Sequence, residues 1–282
     1  MDQNAPTVAL KALTEWWEEM GVEVDQAELS ALTRSRNSSA AAPVGGEGAP
    51  PKGRNTATEA PVATRPSRNR NKSKTVEDWV AEAKVLAAGA NSLTELKAAI
   101  EGFDGCPLKK LCEKTVVYDG TEGASIMVLG EGPGGQEDRL GLPFVGKAGQ
   151  LLDRMLAAIQ LDRKTNAFIS NVNYWRPPGN RNPEADELAV CRPFVDRMVD
   201  LAQPKIIFAM GGVAAKSLLD TKTGITRLRG REHDFETPAG TRVPLIPMFH
   251  PAYLLRRAPD KSRAWRDLLL AQARLKEMGV EV

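Results

Sequence analysis

The residues best equipped for chemistry lie in SIMVLGEGPGGQEDRLGLPFVG, residues 125–146. Glycines at 130, 132 and 135 reproduce the G-x-G-x-x-G spacing with which a loop cradles a dinucleotide pyrophosphate. The flanking chemistry argues against that use. Pro133 sits inside the motif, and Glu131, Glu137 and Asp138 put negative charge where a phosphate would bind. The continuation RLGLPFVG reads as a loop, not as the helix whose N-terminus must receive the pyrophosphate. The acid expected about 20 residues further on, at the end of a second strand, is missing, because Asp153 falls on a helix. A GxxxxGKS/T phosphate loop fails too, since Ala148 follows Lys147. What does fit is a loop at the end of a strand that holds one carboxylate. Its glycines let the backbone approach a flat ligand closely, and Phe144 supplies an aromatic platform. The second chemically suggestive stretch is FHPAYLLRR, residues 249–257, with one of only two histidines in the chain, His250.

These residues need a frame. Short apolar runs at 125–130, 167–173, 205–211 and 243–249 read as strands, separated by helices at 149–159, 183–202, 213–219 and 262–278. Near-continuous apolar strands alternating with helices imply a parallel sheet covered on both faces. The expected fold is therefore α/β, three-layer α/β/α, with a central, mainly parallel four-stranded sheet. Two helices precede it, at 75–88 and from Ser92 to about Phe103, the second opened by a Ser92-x-x-Glu95 capping box. Glu131 and Asn171 then fall at strand ends. His233, in RGREHDF, falls in an exposed hairpin and is given no role.

The rest of the chain is organised differently. The formal net charge is only +2, but residues 34–74 hold nine Lys/Arg against two acids and almost no large apolar side chain. Such a segment cannot offset its ordering entropy by burial, so it reads as a disordered basic linker with a weak, salt-sensitive attraction to polyanions. Residues 1–33 read as a short helical segment with Leu10, Leu13, Trp17 and Met20 on one face, suited to docking or to an unknown protein partner. From Thr75 the chain reads as globular, and residues 75–282 are expected to form the domain that carries both motifs. No apolar run approaches the roughly 18 residues of a membrane span, and no signal-peptide pattern opens the chain. Three irregularly spaced cysteines fit a reducing cytoplasm.

The pair GE-x-PG-x-x-ED-x-x-G-x-PFVG and HPAYLLR resembles the uracil-DNA glycosylase superfamily, closest to its family four. SNVNYWRPPGNRNP, PKIIFAMGGVAAKSLL and LRGR support the likeness, which runs from about Cys106 to Leu275. The resemblance implies hydrolysis of the bond between deoxyribose and uracil in single- or double-stranded DNA, by a monomer acting in the cytoplasm at the nucleoid. It makes Glu131 the carboxylate that orients water and stabilises the sugar cation, and His250 the donor to the uracil oxygen that gains charge. Asn171 becomes the reader of the uracil edge, with Asn173 as the alternative, and Phe144 stacks on the base. Glu137 crowds the position of thymine's methyl, and Gly132 and Pro133 complete the base pocket. Tyr253, Leu254, Leu255 and Arg256 form a loop entering the duplex, with Arg256 near phosphate.

The chain departs from family four at the iron–sulfur cluster, which that family holds on four cysteines. Only Cys106 and Cys191 match; Phe103 and Trp175 stand at the other two positions, and Cys112 is separated from Cys106 by five residues. A cluster of this type wants four thiolates. The expectation is no cluster and no metal, with an apolar plug in their place. The segment RPPGNRNP is short and lacks a histidine, unlike the branch that binds uracil-DNA covalently. Two alternatives stay open: a non-catalytic damaged-base or nucleic-acid binding module, and a glycosylase of wider range that accepts hypoxanthine or xanthine.

Overall fold

The structure is a computed structural model and describes residues 74–280. The N-terminal helical segment and, Lys74 apart, the basic linker lie outside the described residues.

Helices α1 (Val76–Gly89) and α2 (Leu93–Gly102) open the domain. Thr75 and Asp78 cap α1 reciprocally. Ser92 accepts the Glu95 amide at 3.1 Å, but the Glu95 carboxylate returns to the amide of Asn91, one residue before the expected partner. The chain then forms β1 (Tyr118–Gly120), β2 (Ile126–Gly130), α3 (Gly135–Leu140), α4 (Lys147–Ala157), β3 (Ala167–Asn171), α5 (Ala185–Ala202) and β4 (Ile206–Met210). It continues through α6 (Gly212–Leu219), α7 (Ile225–Leu228), β5 (His233–Glu236), β6 (Arg242–Met248), α8 (Pro251–Arg256) and α9 (Lys261–Glu277).

The sheet order is β1-β3-β2-β4-β6-β5. Strands β3, β2, β4 and β6 are parallel and coincide with the four apolar runs. The sheet is wider than expected, six strands where four are legible, because β1 and β5 add antiparallel edges. Neither edge carries a run that announces it. Tyr-Asp-Gly is three residues long, and in His-Asp-Phe-Glu only Phe235 is buried. The segment around His233 is thus a paired edge strand, and the ring is half-buried with Nε2 2.9 Å from the carbonyl of Leu228.

Every residue of β2, β3 and β4 is buried. Met127 and Leu129 of β2 pack into one layer with α1, α2 and α5, while Ile126 and Val128 pack into the other with α4 and α9. A strand covered on both faces has no solvent side, which is why its sequence does not alternate. The parallel register sets Gly130 beside Asn171 and Met210 beside Met248. The C-terminal ends of four strands therefore deliver the Gly130–Pro133 loop, Asn171, Gly211 and His250 to one edge of the sheet, where ligands bind in open α/β sheets. Among the described residues no helix is long and apolar enough to cross a membrane.

Candidate active site

At that edge lies a cavity of about 590 Å³. Glu131, Gly132, Pro133, Glu137, Phe144 and Asn171 line it from the β2 and β3 side, and His250, Tyr253 and Arg256 from the β6 side. Nine of the twelve residues singled out in the sequence thus share one cavity. Asn173, Leu254 and Leu255 do not.

Glu131 directly follows β2. No donor among the described residues reaches its carboxylate, and burial pushes its pKa above the ordinary carboxylate range. Asn171 ends β3 and is only 2% exposed, yet its side-chain amide makes no hydrogen bond among the described residues. Its polar atoms open onto the cavity, where a ligand can take the place of water. Asn173 behaves in the opposite way. Its Nδ2 donates to the carbonyl of Trp175 at 2.6 Å, its Oδ1 accepts the Trp175 amide at 3.3 Å, and it is fully buried outside the cavity. Asn173 folds the chain after β3; Asn171 is the amide left for a ligand.

His250 owes its state to the turn in which it sits. It caps α8, Pro251 occupies the first helical position, and the amide of Ala252 donates to Nδ1 at 3.1 Å. Proline suits that position because its φ is preset and its missing N–H is not needed there. With Nδ1 committed as an acceptor, the neutral ring carries its proton on Nε2. Burial, and secondarily the positive charge of Arg256, holds the pKa of His250 down to about 4. The neutral ring is therefore the form present at physiological pH.

Phe144 stacks on His250 with ring centroids 5.6 Å apart and planes 26° apart. Its φ of +53° is unusual for a bulky residue and costs on the order of 1–3 kcal/mol. The ring lies directly over Gly130. A Cβ at 130 would sit 2.4 Å from the Phe144 ring and 2.5 Å from Asn171 Oδ1. Gly130→Ala is thus expected to displace both candidate base contacts at once and to lower excision at least tenfold, with a fall in melting temperature. Single-turnover rates alongside calorimetry check this.

Several residues behave differently from expectation. The expectation that RLGLPFVG is a loop is corrected in part: the glycines lead directly into a short helix, α3, which takes in Arg139 and Leu140 and ends at Gly141 in the left-handed conformation, and only the residues after it form a loop. Asp138, placed among the charges at the loop, is buried and turned away. Its carboxylate accepts the amides of Glu113 and Lys114 at 2.8 and 3.2 Å. Glu137 keeps a face on the cavity, and its Oε1 accepts the amides of Val145 and Gly146 at 3.0 and 2.8 Å. This bond between α3 and the start of α4 closes the PFVG loop, and no local pattern announces it. The segment Tyr253–Arg256 is helical, not an open loop. Leu254 is fully buried in the core, so the expected contact of this residue with DNA is corrected. The reason is helical geometry: in a six-residue helix laid on the core, Leu254 points inward while Leu255 and Arg256 face solvent. Tyr253 stacks on Phe249 at 5.1 Å, and its hydroxyl donates to Asp260.

Four residues stand where the resembling family holds its cluster. Phe103, Cys106, Trp175 and Cys191 are all at most 1% exposed. The Phe103 ring lies 6.4 Å from Trp175 and 5.2 Å from Phe194. The neighbouring Cys191 thiol lowers the pKa of Cys106, and Cys191 Sγ lies 3.7 Å from Asn173 Oδ1. Among the described residues no group of three or more His, Cys, Asp or Glu side chains is arranged to hold a metal ion. Two thiols in a volume filled by indole and phenyl rings do not fit a four-thiolate cluster.

Comparison with known proteins agrees with this geometry. The family model described as the uracil DNA glycosylase superfamily matches residues 117–272. Three similar proteins carry the name Type-4 uracil-DNA glycosylase. The one from Sulfurisphaera tokodaii is 36% identical over 169 residues, 58% of this chain and 76% of the relative. The one from Pyrobaculum aerophilum is 34% identical over 182 residues, 63% and 92% of the two chains. The one from Thermotoga maritima is 37% identical over 177 residues, 62% and 90% of the two chains. The matched span holds both strand ends, the glycine-rich loop and the HPAYLLR helix, so the chain belongs to the uracil DNA glycosylase superfamily.

Proposed function

We propose that this protein is a monofunctional DNA glycosylase that flips uracil out of single- or double-stranded DNA and hydrolyses its N-glycosidic bond, leaving an abasic site for base-excision repair. One observation carries the reading. An unpartnered carboxylate, an unpartnered buried amide and a neutral imidazole with its proton on Nε2 meet around one cavity with an aromatic wall.

The chemistry follows from these groups. The target base must leave the stack, at a cost of a few kcal/mol, to enter such a pocket. It lies against Phe144 and pairs its edge with the Asn171 amide, which offers a donor and an acceptor together. The bond between C1′ and N1 breaks with its electron pair leaving on the base, so C1′ becomes an oxocarbenium centre and uracil an anion. His250 Nε2–H donates to the base oxygen that gains charge, an interaction strongest when the charge has developed. Glu131 faces the cation and holds a water. The water oxygen bonds to C1′, and its proton passes to the carboxylate and on to solvent. Glu137, pinned by two amides, cannot swing aside and narrows the pocket where thymine would carry its methyl. Arg256 sits near phosphate, and Leu255 is the exposed apolar side chain able to enter the duplex.

The protein acts without a metal or cluster, as a monomer in the cytoplasm at the nucleoid, with the packed rings of Phe103 and Trp175 serving as the structural plug. Anaerobically purified protein is expected to be colourless and free of iron. A brown sample with about four irons per chain would contradict this part of the proposal. Activity is tested by incubating oligonucleotides that carry one central uracil, hypoxanthine, xanthine or thymine and cleaving abasic sites with alkali. Cleavage at uracil with release of the free base supports the reading. Tight binding of uracil-DNA without release would favour a binding module on the same fold.

A further inference from the structure

The backbone of Phe144 is held in its unusual conformation by a side chain remote from the cavity. Arg163 lies in the turn before β3, largely buried, and all three nitrogens of its guanidinium are engaged. Nη2 donates to the carbonyl of Phe144 at 2.7 Å and Nη1 to that of Pro143 at 3.2 Å. Nη1 also meets Asp119 of β1 at 2.9 Å, and Nε and Nη2 flank Asp153 of α4 at 2.8 and 2.7 Å. The planar fork thus joins an edge strand, a helix and the carbonyls of the loop that presents the ring. The far side of the same carbonyl is closed by Gly149, where a Cβ would fall 1.8 Å from Phe144 O. Glu137 ties the next two amides, those of Val145 and Gly146. The positive φ of Phe144 is therefore over-determined from three directions, as a conformation of this kind must be to persist.

We propose that Arg163 is a positioning residue for the glycosylase reaction: anchored by Asp119 and Asp153, it fixes the Pro143–Phe144 backbone so that the Phe144 ring stands preformed as the platform for the flipped base. The proposal rests on the functional reading above. Arg163 touches neither base nor sugar and acts only through Phe144. A preformed wall spares the enzyme the ordering of a loop while a base waits outside the stack, and a misplacement of about 1 Å in such a wall can cost about 10²-fold in rate.

The test is a double-variant cycle on single-turnover uracil excision, with wild type, Arg163→Met, Phe144→Ala and the double variant, and with amide hydrogen exchange of the 143–146 loop. Arg163→Met is expected to slow excision 10- to 100-fold. The double variant is expected to match Phe144→Ala within about twofold, because the clamp has nothing left to position. Exchange at Val145 and Gly146 should rise about tenfold or more, while that of β2 and β3 is unchanged. Arg163→Lys, which keeps the charge but not the fork, should behave like the Met variant. If Arg163→Met does not fold, Asp153→Asn removes one anchor from a half-exposed position and should shift both readouts in the same direction. Wild-type rates in Arg163→Met, effects that multiply in the double variant, or unchanged loop exchange would each overturn the proposal. Wild-type protein that releases no uracil would instead sink the functional reading, and the positioning role with it.

Discussion

Replacing Glu131 by glutamine is expected to lower single-turnover excision of uracil by about 10²–10⁴-fold while leaving the fold as stable as before or more so. The two halves of this result come from one feature. The carboxylate is half-buried, has no partner among the described residues, and burial raises its pKa. A carboxyl group whose pKa is higher in the folded than in the unfolded state favours folding in its protonated form. Its contribution is present below the ordinary carboxylate pKa and is lost as pH rises through the raised folded value. At neutral pH the ionised side chain is thus a standing cost, and the neutral amide removes it. Melting curves across pH should show the variant at or above wild type near pH 7, with the difference closing in acid. The same raised pKa places the acid limb of wild-type excision above the range of an ordinary glutamate, and the residual activity of the variant should lack that limb. A variant as active as wild type, or one that loses activity only by unfolding, would remove Glu131 from the chemistry. A carboxylate placed for structure would have found a donor, as Glu137 and Asp138 have.

Replacing His250 by alanine is expected to cost about 10²–10³-fold in the same assay, the usual loss for one donor aimed at developing negative charge. Here too pH separates the role from a packing effect. The folded ring resists protonation down to about pH 4, against about 6.5 for an unperturbed histidine, chiefly because of its desolvation and secondarily because of the positive charge of Arg256. Glu137 opposes the shift but does not reverse it. Between these two values the unfolded chain binds a proton that the folded chain does not, so stability falls as pH drops from about 6.5 toward 4. The alanine variant also loses the cap on α8, about 1 kcal/mol, at every pH. Its stability should therefore be lower than wild type near neutral pH and flatter across that window, so that the gap closes as pH falls toward 4. A variant with wild-type excision rates would contradict the donor role. An unchanged slope of stability with pH would contradict the depressed pKa.

How much of this was legible in the sequence depended on whether the information was local. Buried parallel strands announce themselves as apolar runs, and all four fell where those runs lie. The edge strands Tyr118–Gly120 and His233–Glu236 are defined by their neighbours and carry no such run. Glu131 and His250 sit in short motifs whose residues explain one another: glycine for close approach, proline to start the helix, histidine to cap it. The choice between Asn171 and Asn173 could not be made from spacing, because two residues apart on an extended strand they point the same way. The end of β3 separates them, turning Asn173 into the backbone of Trp175 while Asn171 keeps to the cavity. The contacts of Glu137 and Arg163 were illegible for the same reason, since their partners come from separate segments brought together only by the fold. Leu254 and Leu255 are adjacent in sequence, and only the docking of α8 sends one inward and the other outward.

Excision of uracil in this cavity through Glu131 and His250 is the proposal on which the rest depends. Its most direct test is the single-turnover rate on one oligonucleotide with a central uracil, beside the same strand with thymine, for wild type, Glu131→Gln and His250→Ala. Wild type is expected to cleave rapidly at uracil and not at thymine, and each variant to lose at least 10²-fold with the fold intact. No uracil excision by wild type, or full excision by either variant, would contradict it.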